Sequence, residues 1–240
     1  MFNENLKTFI TCHNQDIIKE HIESGKFNSL GDVVYMFVGM GEVDKIKDLQ
    51  NVVIVRELPH NIEQYPNFTA FTAWYAIWKN DLCKSKYINL LEYDVNINEH
   101  FAPALLDIIK NNEPKIISYS FLDLPNYHYI TNLDLVSSIF KGLLLVYNID
   151  MAKYIKDVID EANGMVELWW PTTNNVCFSI PFFDKYMNWI DPLIPYMMED
   201  KYAGHAQERA LSFIHLLEKI PIYYYKGNIE HLHSNSHRTY

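Results

Sequence analysis

Directly after the apolar run at residues 87–91 come Glu92-Tyr93-Asp94-Val95-Asn96, two carboxylates and an amide in one short stretch. Side chains alternate along an extended segment, so Glu92, Asp94 and Asn96 are predicted to project to one side. Three oxygen donors facing one way suit a hard divalent cation, Mg2+ or Mn2+. Such an ion bridges the phosphates of a nucleotide and offsets charge on a leaving group. The plainer account is a solvated strand end, because a buried strand cannot hold unpaired carboxylates in its middle.

A second group is Gly204-His205-Ala206-Gln207-Glu208-Arg209. His205, Glu208 and Arg209 stand at i, i+3 and i+4, so they share a helix face near its start. Glu208 or His205 suits the removal of a proton from a hydroxyl. A favourable acidic first turn with a local ion pair is the structural alternative. Near the end, His231 and His233 alternate and would project to one side as metal ligands, His233 being preferred to His237. A solvated terminus is the plain account of all three.

These residues need elements to hold them. Apolar runs predict strands at residues 8–11, 33–38, 52–55, 87–91, 116–121, 176–180 and 222–225. Helical patterns fall at residues 16–23, 69–79, 101–111, 133–140, 152–162, 182–188 and 205–219. Continuous apolar strands separated by helices imply an α/β fold with a central, mostly parallel sheet covered on both faces. In such sheets ligands bind beyond the carboxyl ends of the strands, which is where the acidic stretch falls. Gly39-Met40-Gly41-Glu42 is no phosphate-cradling fingerprint, since it lacks a third glycine and does not follow the first strand. Thr172-Thr173-Asn174-Asn175 follows Trp169-Trp170 as a polar loop. Indole faces stack on sugar rings and amides bind hydroxyls, although paired aromatics more often sit in cores.

The composition narrows the class. The chain has 240 residues, 49% hydrophobic and 21% charged, which is ample for a packed core. A net charge of −10 repels phosphate backbones and argues against nucleic acid as a partner. Cys12, Cys83 and Cys177 are far apart and odd in number, so neither a zinc site nor a disulfide framework is implied and a reducing, cytoplasmic setting is expected. No basic region with an apolar run opens the chain, and no apolar run is long enough to span a bilayer, so stable membrane insertion is not expected. No repeat or Gly/Ser linker divides the sequence, and one domain is expected over residues 1–240. No pattern specifies an oligomeric state.

The aromatic helix ending Ala76-Ile77-Trp78-Lys79-Asn80, followed by Tyr87-Ile88-Asn89-Leu90-Leu91-Glu92-Tyr93-Asp94, resembles the GT-A glycosyltransferases, in particular small bacterial and viral sugar transferases. Asp94-Val95-Asn96 looks like a degenerate form of that family's Asp-any-Asp motif, with Asn96 in place of the second Asp. The resemblance implies a GT-A-like, Rossmann-like fold. A nucleotide-sugar-binding half would cover residues 1–125 and an acceptor-side half residues 126–240. It implies a UDP- or GDP-sugar donor, a carbohydrate acceptor, and Mg2+ or Mn2+ held by Asp94, Asn96 and a late histidine, His233. Glu208 matches the position of the inverting base. Thr11, His13 and Asn14 would touch the nucleoside, Glu57 the base or ribose, Lys79 a phosphate, and Glu92 the donor. Two other functions stay open. A nucleotidyltransferase would use a similar cation but needs a Gly- and Lys-rich phosphate loop, and none is visible. A non-catalytic nucleotide-sugar-binding domain of the same fold is favoured by Asn96.

Overall fold

The computed structural model describes residues 2–119, 133–162, 173–225 and 227–232. The strands are β1 (Leu6–Cys12), β2 (Val33–Phe37), β3 (Val52–Ile54), β4 (Tyr87–Glu92), β5 (Val95–Ile97), β6 (Ile116–Ser118), β7 (Val176–Ser179), β8 (Ile222–Tyr224) and β9 (Ile229–His231). Seven of them form one sheet in the order β3-β2-β1-β4-β7-β6-β8, and β5 and β9 pair in a small second sheet. β1 pairs in parallel with β2 and with β4, β2 with β3, and β6 with β8. Among the described strands of this sheet, only β7 runs against its neighbours, β4 and β6. The mostly parallel α/β sheet expected from the apolar runs is therefore present. β7 and β8, from the second half of the sequence, belong to the same sheet as β1 to β4.

Helices on both faces cover the sheet. They are α1 (Phe2–Asn5), α2 (Gln15–Ser24), α3 (Phe71–Lys79), α4 (Phe101–Asn112), α5 (Leu133–Tyr147), α6 (Met151–Glu161), α7 (Ile180–Ile190), α8 (Ile194–Met197) and α9 (Ala203–Glu218). The period-two alternation of the strands divides the core. Phe9, Leu90 and Phe178 face one layer with Trp74 and Tyr186. Ile10, Leu91 and Cys177 face the other with Ile18, Phe101 and Leu105. The Trp74 ring meets Phe178 edge-on at 5.7 Å and Tyr186 at 6.3 Å, the T-shaped arrangement that aromatic quadrupoles favour. Asn89 is fully buried in the middle of β4. It is satisfied there, donating to Thr8 Oγ1 at 3.2 Å and accepting from the Tyr119 hydroxyl at 2.9 Å.

Some elements differ from their predicted bounds. Ile180 opens α7 instead of closing β7, because Pro181 suits a first helical turn and has no N–H to continue a ladder. α5 continues to Tyr147, past the predicted end at 140. The predicted strand at 116–121 is β6, which stops at Ser118, and its last two positions lie outside the described residues. Among the described residues no single helix is long and apolar enough to cross a membrane.

Candidate active site

The parallel register brings the ends of β1 and β4 together. Thr11 stands beside Glu92, and the Thr11 carbonyl accepts from the Tyr93 amide at 3.1 Å. Because β7 is reversed, its first residue Val176 pairs with Leu90, near the carboxyl end of β4. The residues just before β7 therefore lie at the same edge of the sheet as Glu92.

Those residues are Asn174 and Asn175, both almost fully buried. Asn175 Oδ1 accepts from the Glu92 amide at 2.7 Å. Its Nδ2 donates to Thr173 Oγ1 at 2.9 Å and approaches Glu92 Oε2 at 3.4 Å. Asn174 Nδ2 donates to Glu208 Oε1 at 3.2 Å. Two successive amides thus hold two carboxylates that are far apart in sequence. Glu208 is carried by α9, which begins at Ala203, two residues before its predicted start, so Glu208 sits in the second turn and not the first. Gly204 lets α9 approach the chain closely: a Cβ there would stand 2.8 Å from Thr69 Oγ1 and 3.1 Å from the Asn67 carbonyl. Arg209 turns inward, its side chain only 4% exposed. It donates to the His205 carbonyl at 2.8 Å and lies 3.9 Å from Glu208 Oε2.

The acidic stretch is not one extended segment. β4 ends at Glu92, Tyr93 and Asp94 form a turn, and β5 starts at Val95. Val95 is fully buried, and β5 pairs antiparallel with β9, Asn96 standing opposite Glu230. The expected projection of Glu92, Asp94 and Asn96 to one side is corrected by this turn, which breaks the alternation. The Leu232 amide donates to the Asp94 carbonyl at 2.9 Å, so the chain's late segment does return to Asp94. His233, His237, Thr172 and the Trp169-Trp170 pair lie outside the described residues. Among the described residues no three His, Cys, Asp or Glu side chains form a metal-sized group.

Lys26 was not singled out by its position in the sequence. It follows Gly25, whose left-handed φ of 69° ends α2. Its ammonium donates to the Tyr93 carbonyl at 3.2 Å and lies 3.4 Å from His21 Nε2. Burial lowers the Lys26 pKa, and the Asp94 charge opposes that drop. Burial pushes the Cys12 thiol at the end of β1 up to about 11, and the Asp94 charge adds to the rise.

Other predicted contacts fall differently. Asn14 caps α2, its Oδ1 accepting from the Asp16 amide at 2.8 Å, so that oxygen already has a structural role. His13 is exposed beside it, its ring edge-on to Tyr93 at 5.3 Å. Glu57 is exposed in a short helical turn after β3. Its neighbour Arg56 donates to the Gly39 and Gly41 carbonyls at 2.7 and 3.0 Å, while buried Glu63 accepts the Gly39 amide at 2.8 Å. That pair anchors the loop after β2. Lys79 pairs with Asp191 at 2.9 Å and lies over the Trp78 ring at 4.0 Å, where α3 turns toward the start of β4.

A solved structure bears on this arrangement. The apo structure of the bifunctional glycosyltransferase WbbM matches over 97% of this chain, with a TM-score of 0.61 and 13% sequence identity. The chain shares the fold of the matched part of that structure, a mixed α/β domain with a mostly parallel central sheet flanked by helices. It spans 46% of the WbbM chain. No protein-family model and no curated protein matches the sequence.

Proposed function

We propose that the chain is a glycosyltransferase that moves a sugar from a UDP- or GDP-sugar to a hydroxyl of a carbohydrate acceptor. The observation that carries this reading is the pair of carboxylates, Glu92 and Glu208, held through Asn175 and Asn174 at the carboxyl edge of a parallel sheet. Ligands bind at that edge in open α/β sheets. The glycosyltransferase likeness of the fold supports the same reading.

In the proposed reaction Glu208 accepts the proton of the acceptor hydroxyl. The hydroxyl oxygen attacks the anomeric carbon, and the bond from that carbon to the diphosphate breaks with its electron pair leaving on the phosphate. Attack opposite the leaving group inverts the anomeric centre. We assign Thr11, His13 and Glu57 to the nucleoside, and Glu92, beside Thr11 at the end of β4, to the donor. We assign residues 1–125 to the donor and residues 126–240 to the acceptor side of one domain.

Asp94 and Asn96 offer the oxygen chemistry that Mg2+ or Mn2+ prefers, and Asp94 is half-buried at the sheet edge. Asp94 would hold the ion, and the ion would neutralise charge on the diphosphate. Lys26 already brings positive charge to Asp94, so the cation requirement is expected to be weak. A second reading, a domain that binds nucleotide sugars without reacting them, is favoured by Asn96, an exposed amide in place of a second Asp.

A thermal-shift screen of UDP- and GDP-sugars, with and without Mn2+, tests the donor site. A ligand that binds only the folded state raises stability by about 2.7 kcal/mol at a hundredfold excess over its Kd. The expected outcome is a shift for one donor class, enlarged by Mn2+. Absence of any shift would sink the reading. Turnover of the bound donor separates the enzyme from the non-catalytic domain. Asp94→Ala is expected to keep the fold and cut transfer at least a hundredfold, about 2.7 kcal/mol of barrier.

A further inference from the structure

The fold brings one half-buried ammonium, that of Lys26, to the edge where β1 and β4 end. The Tyr93 amide bonds the Thr11 carbonyl, which fixes Tyr93 at that edge. Lys26 in turn donates to the Tyr93 carbonyl at 3.2 Å. Its backbone is set before the side chain begins. Gly25 closes α2 by donating to the His21 and Ile22 carbonyls, and the Lys26 amide donates to the His21 carbonyl at 3.1 Å. Phe27 follows and is 1% exposed. Only the four-carbon stem of Lys26 is left to move. Its tip meets the Tyr93 carbonyl, His21 Nε2 at 3.4 Å and the Phe27 ring, whose centroid is 5.1 Å away.

Those three groups are uncharged, since burial takes His21 down to about 4 and leaves its ring neutral near pH 7. Asp94, Glu20 and Cys12 act on Lys26 through their charge, Asp94 most strongly, while burial works against the ammonium. An amide side chain would make the same bond to a carbonyl without that desolvation. What an amide lacks is charge for an incoming anion. Phosphate oxygens accept charge-assisted hydrogen bonds, and a lysine ammonium is a compact point charge with three N–H donors. Two of those donors are aimed at Tyr93 and His21, and rotation about the stem turns the third toward the edge. The same charge offsets that of Asp94, which on its own repels a diphosphate. Lys79, expected from the sequence to meet a phosphate, is paired with Asp191 instead. We infer that Lys26 binds the diphosphate of the donor: its ammonium bonds a phosphate oxygen beside Asp94, so a nucleoside diphosphate is held without a divalent ion, and an ion at Asp94 strengthens that hold. This inference rests on the donor reading of this edge.

Calorimetry on the full chain in EDTA tests it, with uridine, UMP and UDP and with guanosine, GMP and GDP as probes. The parent is expected to bind one diphosphate far more tightly than its nucleoside. Lys26→Gln keeps an N–H for the Tyr93 carbonyl and removes the charge. It is expected to weaken the diphosphate about tenfold or more, the worth of a charge-assisted bond, and to leave the nucleoside as it was. Added Mn2+ then recovers more diphosphate affinity in Lys26→Gln than in the parent, because Asp94 no longer faces a competing cation. Lys26→Arg, which keeps the charge, keeps the tighter diphosphate binding. Lys45→Gln, which removes an equal charge from an exposed ion pair with Asp16, keeps the parent affinities. An unchanged diphosphate affinity in Lys26→Gln overturns the inference. So does an equal loss for nucleoside and diphosphate, which marks Lys26 as a clamp of the turn alone. A loss in Lys26→Arg or Lys45→Gln as deep as in Lys26→Gln overturns it too, since the charge at that place is then not what counts. A parent that binds no nucleoside and no diphosphate, with or without Mn2+, overturns the donor reading itself, whereas nucleoside binding with any of the other failures overturns only the role of Lys26.

Discussion

At the scale of single residues, the side chains around the Tyr93-Asp94 turn set how the protein responds to acid. Burial takes the His21 imidazole down to about 4 from an ordinary 6.5, and the nearby Lys26 charge adds to the drop. Between those values the unfolded chain binds a proton that the folded chain refuses, so stability rises with pH across the window and falls as pH drops from 6.5 toward 4. The loss from this residue reaches at most about 3 kcal/mol. Urea unfolding at pH 5 and pH 7 is expected to show a smaller difference for His21→Asn than for the parent. A second consequence concerns Lys26. Lys26→Ala removes positive charge beside Asp94, and Mn2+ affinity measured by calorimetry is expected to rise severalfold. Neither residue was legible in the sequence as part of the site. A lone histidine in an amphipathic helix and a lysine after a glycine look like any helix end. Only the return of β4 past β1 brings Lys26 to Asp94. Glu92, Asp94 and Glu208 were legible only as candidates, because solvated strand ends and helix first turns place carboxylates in the same positions.

At the scale of elements, apolar period-two runs made the strands of the main sheet readable, and their bounds are close to those observed. The small β5–β9 sheet was not readable. Asp94-Val95-Asn96 continues the alternation of the strand before it, and the partner that turns it aside, Ile229–His231, is remote in the sequence. A chain stopped after Asn228 is expected to keep its circular-dichroism spectrum, since the seven-stranded sheet is untouched, and to lose the Mn2+-dependent part of its donor shift. The approach of α9 to the segment at Thr69 depends on Gly204. Gly204→Ala is expected to cost about 1–3 kcal/mol by overpacking, because one atom it would meet is a backbone carbonyl that cannot swing away. Its denaturation midpoint should fall without a change in slope.

At the scale of the whole molecule, the site is assembled from both ends of the sequence onto one edge of one sheet. β1 and β4 supply the edge proposed to hold the donor, while the residues before β7 and the helix α9 supply Asn174, Asn175 and Glu208. The parallel architecture was visible in the apolar runs and intervening helices. The reversal of β7 was not, since a fully buried strand has the same composition whichever way it points. That reversal carries the two asparagines to the Glu92 end. A strand entering in the parallel sense would have delivered its first residues to the opposite edge.

The place of β7 in the sheet also bears on how the chain is made. Synthesis yields β1 to β4 long before residues 176–179 leave the ribosome, and until then the central strand presents an open row of amides and carbonyls flanked by apolar side chains. Such an edge is a template for another copy of the chain. A nascent chain arrested near residue 172 is therefore an aggregation hazard, and chaperone capture would have most to protect over that interval.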